Sequence, residues 1–291
     1  MAENISSEVG SHGFKYGVKH FKNLKSGYLT DLVSETLMLT KQQVLDLLHL
    51  GAIYVENYRQ NEDLKIKEDQ LFRVHTKPRR HLTDFDWKQR ILFEDSDFLI
   101  LNKPSGVPSH AAVDNIKDNS LYQVEQALQV KLMITHRLDT LTEGLIVYGK
   151  TKRFVNDFNK QITARLIQKK YVALIETTKS LPTKLIHYME SSPRAPKKVT
   201  EFYQENSALC ELEILEQKIE QDLSWVKINL LTGRTHQIRA QVSAMNAPIL
   251  GDTLYGSKKS WKENAIALRA CEIEFMWNTK IQLFKLPENL I

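Results

Sequence analysis

Two stretches of this chain carry polar side chains in patterns that could do chemistry. The first, His136-Arg137-Leu138-Asp139-Thr140-Leu141-Thr142-Glu143-Gly144, runs directly into the apolar Leu145-Ile146-Val147-Tyr148. Polar residues at the mouth of a rigid strand are held in place by it, so a carboxylate there can act as a nucleophile or stabilise developing charge. Taken alone, an arginine two residues before an aspartate more often marks a turn or an ion pair. The second stretch, Thr232-Gly233-Arg234-Thr235-His236-Gln237-Ile238-Arg239, leads into a helical pattern. It offers the free amides of a helix start and two arginines able to clamp a carboxylate or phosphate. Either stretch alone is a weak signal; both in one chain are not.

The elements that must position these residues read as α+β with a mixed, mostly antiparallel sheet and flanking helices. Ile91–Glu94 and Phe98–Lys103 read as strands around an Asp95-Ser96-Asp97 turn, and Gly144–Gly149 as a buried strand. Ser120–Val130 and a segment from Thr151, with Phe154, Phe158, Ile162 and Leu166, read as helices. Strands follow near Tyr171–Glu176, Leu209–Leu215 and Leu223–Leu230, then a helix over Arg234–Met245.

Ahead of these lies a smaller α/β unit. Leu29, Leu32, Val33 and Leu37 have helical spacing, Thr40 and Gln43 form a capping box for a second helix, and Gly51 is placed to end it. Ala52–Val55 and Gln70–Val74 read as strands. The chain therefore divides into an N-terminal extension (1–27), a small domain (28–75), a basic proline-containing linker (76–88) and a large domain (89–291).

The composition restricts the function classes. The chain has 291 residues, 42% hydrophobic and 26% charged, which excludes disorder and coiled coil as the main state. No apolar run approaches the roughly 18 residues of a membrane span. The N-terminus lacks an apolar leader pattern, so the expected location is the cytoplasm. Cys210 and Cys271 are far apart, which argues against a disulfide framework. The net charge of +5 permits an anionic partner. Between Lys150 and Lys170 seven basic residues face one acid, Asp157, and the bland reading of that run is a solvated helix face.

HRLD at 136–139 with TLTEGLIVYGKT, KKYVAL at 169–174, TGRTHQIRAQ at 232–241 and PILGDTLYG at 248–256 resemble, in order and spacing, the motifs of the RluA-type pseudouridine synthases. ILFEDSDFLILNKPSGVPSH at 91–110 resembles that family's first block and ALRACEIEF at 267–275 its last. The resemblance implies the pseudouridine synthase fold and an enzyme that isomerises uridine in ribosomal or transfer RNA. It makes Asp139 the catalytic aspartate, Arg239 the arginine paired with it, and Tyr171 the active-site tyrosine. Physically, breaking a glycosidic bond develops positive charge at the anomeric carbon, which a carboxylate can meet. The base must be flipped out of its stack to reach such a pocket.

Arg137 is the candidate for the vacated stack or the extruded phosphate. His136, Arg234, Lys150, Lys152, Arg153 and Lys170 are read as further RNA contacts. No cofactor is implied, no metal is expected because His136 and His236 lack a third ligand at zinc spacing, and the chain is expected to act as a monomer. Residues 28–75 resemble the S-four RNA-binding domain, although the second helix offers only Lys41 where that domain usually carries several basic residues.

Three positions depart from the family pattern. Glu143 stands where a small residue is usual, Arg269 where a histidine is expected, and the segment 240–246 after GRTHQIR, Ala-Gln-Val-Ser-Ala-Met-Asn, lacks the more common histidine. Glu143 and Arg269 motivate an alternative, an RNA-binding assembly factor or chaperone with the same fold; a more distant reading is a carboxylate-dependent nucleosidase acting on small molecules.

Overall fold

The computed structural model describes residues 2–5, 17–192 and 195–290. They form two compact units, residues 1–83 with 110–123, and residues 84–109 with 124–291. None of the described helices is long and apolar enough to cross a membrane.

In the first unit the order is β1 (Ala2–Asn4), β2 (Val18–Asn23), β3 (Gly27–Tyr28), α1 (Leu29–Leu37), α2 (Lys41–His49), β4 (Ile53–Val55), β5 (Tyr58–Gln60), β6 (Lys65–Ile66) and β7 (Leu71–His75). The capping box is present, with Thr40 and Gln43 each accepting the other's backbone N–H. Strands pair in the order β1-β2-β7-β4-β5, all antiparallel. Leu29, Leu32, Val33 and Val44 from the helices close a core with Ile53, Phe72 and Val74 from the sheet. Removing these side chains from water is the main force holding so small a unit together.

This unit is wider than the 28–75 read from the sequence. β1 and β2 come from the stretch taken as an extension, where Lys19 and Lys22 alternate with Val18, Phe21 and Asn23 and blur the strand pattern. The linker is not a free basic arm either. Arg79 binds Asp114 through Nη2 at 2.6 Å and Arg80 binds Asp118 through Nε at 2.7 Å, both carboxylates being buried. A buried carboxylate without a partner would be costly, so these arginines are fixed by the acids that they neutralise.

The rest of the chain adds β8 (Ile91–Glu94), β9 (Phe98–Lys103), α3 (Ser120–Leu128), β10 (Met133–Ile134), β11 (Glu143–Gly149), α4 (Lys152–Thr163) and β12 (Gln168–Ile175). Then come β13 (Lys184–Met189), β14 (Val199–Thr200), β15 (Ala208–Glu220), β16 (Leu223–Leu230), α5 (Gln237–Ala244), β17 (Leu268–Trp277) and β18 (Lys280–Lys285). Strands β8 to β18 form one sheet of 11, ordered β14-β13-β15-β16-β12-β17-β11-β9-β8, with β10 on β11 and β18 on β17. Its pairings are antiparallel except β11 with β17, which is parallel, so the expected mixed, mostly antiparallel α+β sheet is what forms.

Helix α4 lays Phe154 and Phe158 on the sheet against Phe98, Phe275 and Trp277. Each such ring contributes roughly 1.5–3 kcal/mol on full burial. This aromatic layer makes β11 a rigid rod, and the loop before β11 is the one that carries Asp139. Gly144 sets how that loop joins the rod: its φ is +114°, and a Cβ there would collide with the backbone of Ala270 on β17. Only glycine fits both demands.

Candidate active site

Asp139 lies between β10 and β11, on a turn in which its own carbonyl accepts the Thr142 N–H at 3.1 Å. The turn is anchored beneath by Lys103, the last residue of β9, which is fully buried. Its ammonium donates to the carbonyls of Val107 at 2.7 Å, Pro104 at 2.9 Å and Thr140 at 3.4 Å. Burial pulls Lys103 down to about 7, and the charges of Asp139 and Glu143 oppose that fall. Ser109 clamps the neighbouring residue, its hydroxyl donating to Leu138 O at 2.8 Å and accepting Leu138 N–H at 3.0 Å.

From the other side comes α5. It starts at Gln237, later than the sequence pattern suggests, because His236 adopts a left-handed φ of +58° and Gln237 Oε1 caps both Arg234 N–H and the Thr232 hydroxyl. Arg239 is thereby placed in the first turn and buried. Its Nη1 reaches Asp139 Oδ2 at 3.3 Å, as the resemblance implies, yet its main partner is one that sequence reading missed. Asp252, 1% exposed, takes Nε at 2.6 Å and Nη2 at 2.9 Å in a two-pronged pair. Burial works against the guanidinium's charge, but Asp252 and then Asp139 more than offset it and raise its pKa. Asp252 lies within the PILGDTLYG motif, so a signal existed, but nothing in the sequence pairs it with position 239.

Tyr255 completes the cluster. Its ring lies 4.8 Å from the Arg239 guanidinium and its hydroxyl 3.0 Å from His236 Nδ1, while His236 Nε2 stands 3.9 Å from Asp139 Oδ2. Tyr171 on β12 is buried, and burial, then the charge of Asp139, push its phenol above the usual range. Its hydroxyl therefore keeps its proton and presents a hydrogen-bond donor beside an apolar ring face.

The expected RNA contacts separate. Arg137 and Arg234 are exposed, and Arg137 Nη2 donates to Thr235 Oγ1 at 3.3 Å, which ties the loop of Asp139 to the turn that holds Arg234. His136 is engaged within the protein: its Nε2 accepts Val147 N–H at 3.1 Å and its ring stacks on Phe158. Burial, then the charge of Lys169, drive it down to about 3, which makes it a neutral brace. Lys170 is taken by Glu272 at 2.7 Å, and Lys150 by Glu94 at 2.5 Å. Arg153 lies over Trp277 and donates to Asn278, and Lys152 is exposed beside it on α4. Lys150, Lys152 and Arg153 follow the far end of β11, about 20 Å along the strand from the Asp139 loop. They do not belong to this cluster.

Residues 97–244 match the family described as RNA pseudouridylate synthase. The chloroplastic RNA pseudouridine synthase 6 of Oryza sativa subsp. japonica is 34% identical over 217 residues, covering 66% of this chain but 45% of the relative. This chain thus spans less than half the length of that relative. The ribosomal large subunit pseudouridine synthase C of Buchnera aphidicola subsp. Baizongia pistaciae is 26% identical over 275 residues, 84% of this chain and 83% of the relative. Among solved structures, human RNA pseudouridylate synthase domain containing 1 superposes with a TM-score of 0.54 at 22% identity, covering 68% of this chain and 82% of that one, which speaks for the fold. Since the matched span holds β9, the Asp139 loop, β12 and α5 together, the chain belongs to the RNA pseudouridylate synthase family.

Proposed function

We propose that this protein isomerises uridine to pseudouridine within structured RNA, with Asp139 as the essential carboxylate. The observation that carries the reading is the placement of Asp139 by a buried arginine, Arg239, that is itself locked by Asp252. In the reaction the bond from uracil N1 to ribose C1′ breaks, the base turns, and a bond from C5 to C1′ forms. The C5 proton leaves to solvent and N1 ends protonated, so the formula is unchanged. Positive charge develops at C1′ while the bond is broken, and the Asp139 carboxylate offsets it. Tyr171 supplies a ring face for the uracil, and Arg137 sits at the mouth to occupy the gap that the flipped nucleotide leaves.

Ribosomal RNA is the substrate class we favour, because one of the relatives matched over most of both chains is named for the large ribosomal subunit. The N-terminal unit enters as an accessory RNA-binding module, the role its resemblance implies. The alternative of an assembly factor rested on Glu143 and Arg269 as degenerate positions. Their ion pair at 2.7 Å withdraws that support.

The test is release of tritium from RNA labelled at uracil C5, taken from cells that lack the protein. Wild type should release it and Asp139→Asn should not, while both bind RNA. Normal turnover by Asp139→Asn removes the carboxylate from the mechanism; no release by either leaves only the binding reading.

A further inference from the structure

Among the described residues Lys169 is a cation without a counter-charge, set among the residues of the site. It is half-buried on β12, two residues before Tyr171 and therefore on the same face of the strand. Its ammonium lies beside the turn that leads into α5, where a Cβ added to Gly233 would come within 3.1 Å of Nζ. Its charge also reaches His136, three residues from Asp139 on the opposite loop. The three segments that build the site thus converge on one ammonium.

Among the described residues no carboxylate pairs with Lys169, in contrast to its neighbour Lys170, which is held by Glu272. Burial pulls Lys169 below the usual lysine range, and no opposite charge counters the fall. A desolvated cation in that position destabilises the free protein unless something anionic arrives. The bare backbone at Gly233 leaves room for it, and Arg137, tied to Thr235 in the same turn, adds a second positive charge at the mouth.

We infer that Lys169, with the Gly233–Thr235 turn, is the seat of a phosphodiester group of the RNA next to the flipped uridine. This rests on the chain acting on RNA, and it assigns the phosphate contact to a lysine inside the site, in place of the basic run along α4. A phosphate there neutralises Lys169 and fixes the backbone while the base lies against Tyr171. The dependence is two-way: the same charge that weakens the empty protein becomes part of the affinity for RNA.

The experiment compares wild type, Lys169→Met and Lys169→Arg for binding to large-subunit ribosomal RNA transcribed in vitro, from 50 to 200 mM salt. Lys169→Met should bind about tenfold more weakly, as loss of one charge-assisted hydrogen bond predicts. Its slope of log affinity against log salt should be shallower by about 0.7 to 0.9, the signature of one lost phosphate contact. Lys169→Arg should keep the slope. The melting temperature of Lys169→Met should not fall, because the substitution removes an unpaired charge, and this separates the effect from misfolding. Wild-type affinity and slope in Lys169→Met would overturn the inference. Because binding is the readout, a wild type that binds but releases no tritium would sink the isomerase reading and leave the Lys169 result to stand or fall by itself.

Discussion

Glu143 and Arg269 face each other in the parallel register of β11 and β17, and the guanidinium grips the carboxylate through Nε at 2.8 Å and Nη2 at 2.7 Å. These are two of the positions at which the chain departs from its family's pattern, and they form a single interaction. Arg269 Nη1 goes further and donates to the carbonyls of Pro287 at 3.0 Å and Asn289 at 2.6 Å, which ties the C-terminal segment to the start of β11.

Arg269→Ala should therefore cost about 1–3 kcal/mol of stability, since it strands Glu143 and two carbonyls at once. Glu143→Ala should cost less, because Arg269 keeps its carbonyl partners. Urea unfolding of both single variants and the double variant should show a coupling of roughly 0.5 kcal/mol or more. Strict additivity would make the pair a bystander and restore the two positions as independent departures.

A second prediction separates the two aspartates bound to Arg239. Asp252 is 1% exposed and takes two short hydrogen bonds, whereas the Asp139 side chain is 20% exposed and takes one at 3.3 Å. Removing one partner of a buried pair leaves the other charge stranded, at about 3–5 kcal/mol. Asp252→Asn should thus unfold at much lower urea and lose tritium release indirectly. Asp139→Asn should stay within about 1 kcal/mol of wild type and lose tritium release outright. Equal stability losses in the two variants would refute the assignment of Asp252 as the anchor and Asp139 as the working group.

How far the site was legible follows from what each residue needed to be recognised. Asp139, Tyr171 and Arg239 stand in motifs whose order survives in one dimension, and the strands and helix around them are marked by their apolar period. Asp252 and Lys103 were missed because their importance is a matter of burial: Lys103 reads as an ordinary lysine beside a proline until three carbonyls are found around its ammonium. Lys150 and Lys170 show the converse. A run of basic residues shows charge but not partners, and Glu94 and Glu272 reach them from distant strands. The start of α5 shifted because the left-handed turn at His236 is set by the Gln237 side chain, which propensity does not encode.

The last prediction concerns pH. His136 uses Nε2 as an acceptor for Val147 N–H, so the folded protein needs this ring neutral, and its pKa falls to about 3 from the ordinary 6.5. His75 in the N-terminal unit falls to about 4, burial being the first cause, with both ring nitrogens buried and without a hydrogen-bond partner among the described residues. A group whose pKa is lower folded than unfolded binds its proton in the unfolded chain first. Its contribution is therefore complete above about 6.5 and is lost as the pH falls toward the folded value. Between pH 7 and pH 5 each of these histidines should withdraw on the order of 2 kcal/mol. All four tryptophans, Trp87, Trp225, Trp261 and Trp277, lie with His136 in the unit of residues 84–109 and 124–291, so urea unfolding followed by tryptophan fluorescence follows that unit, and comparison with a variant at His136 separates this ring from His75. His136→Gln keeps an acceptor for Val147 N–H and removes the titration. Its stability at pH 7 should be slightly below wild type, and its loss on going to pH 5 smaller by on the order of 2 kcal/mol. An unchanged loss would mean that the ring is charged in the folded protein, which the hydrogen bond from Val147 forbids.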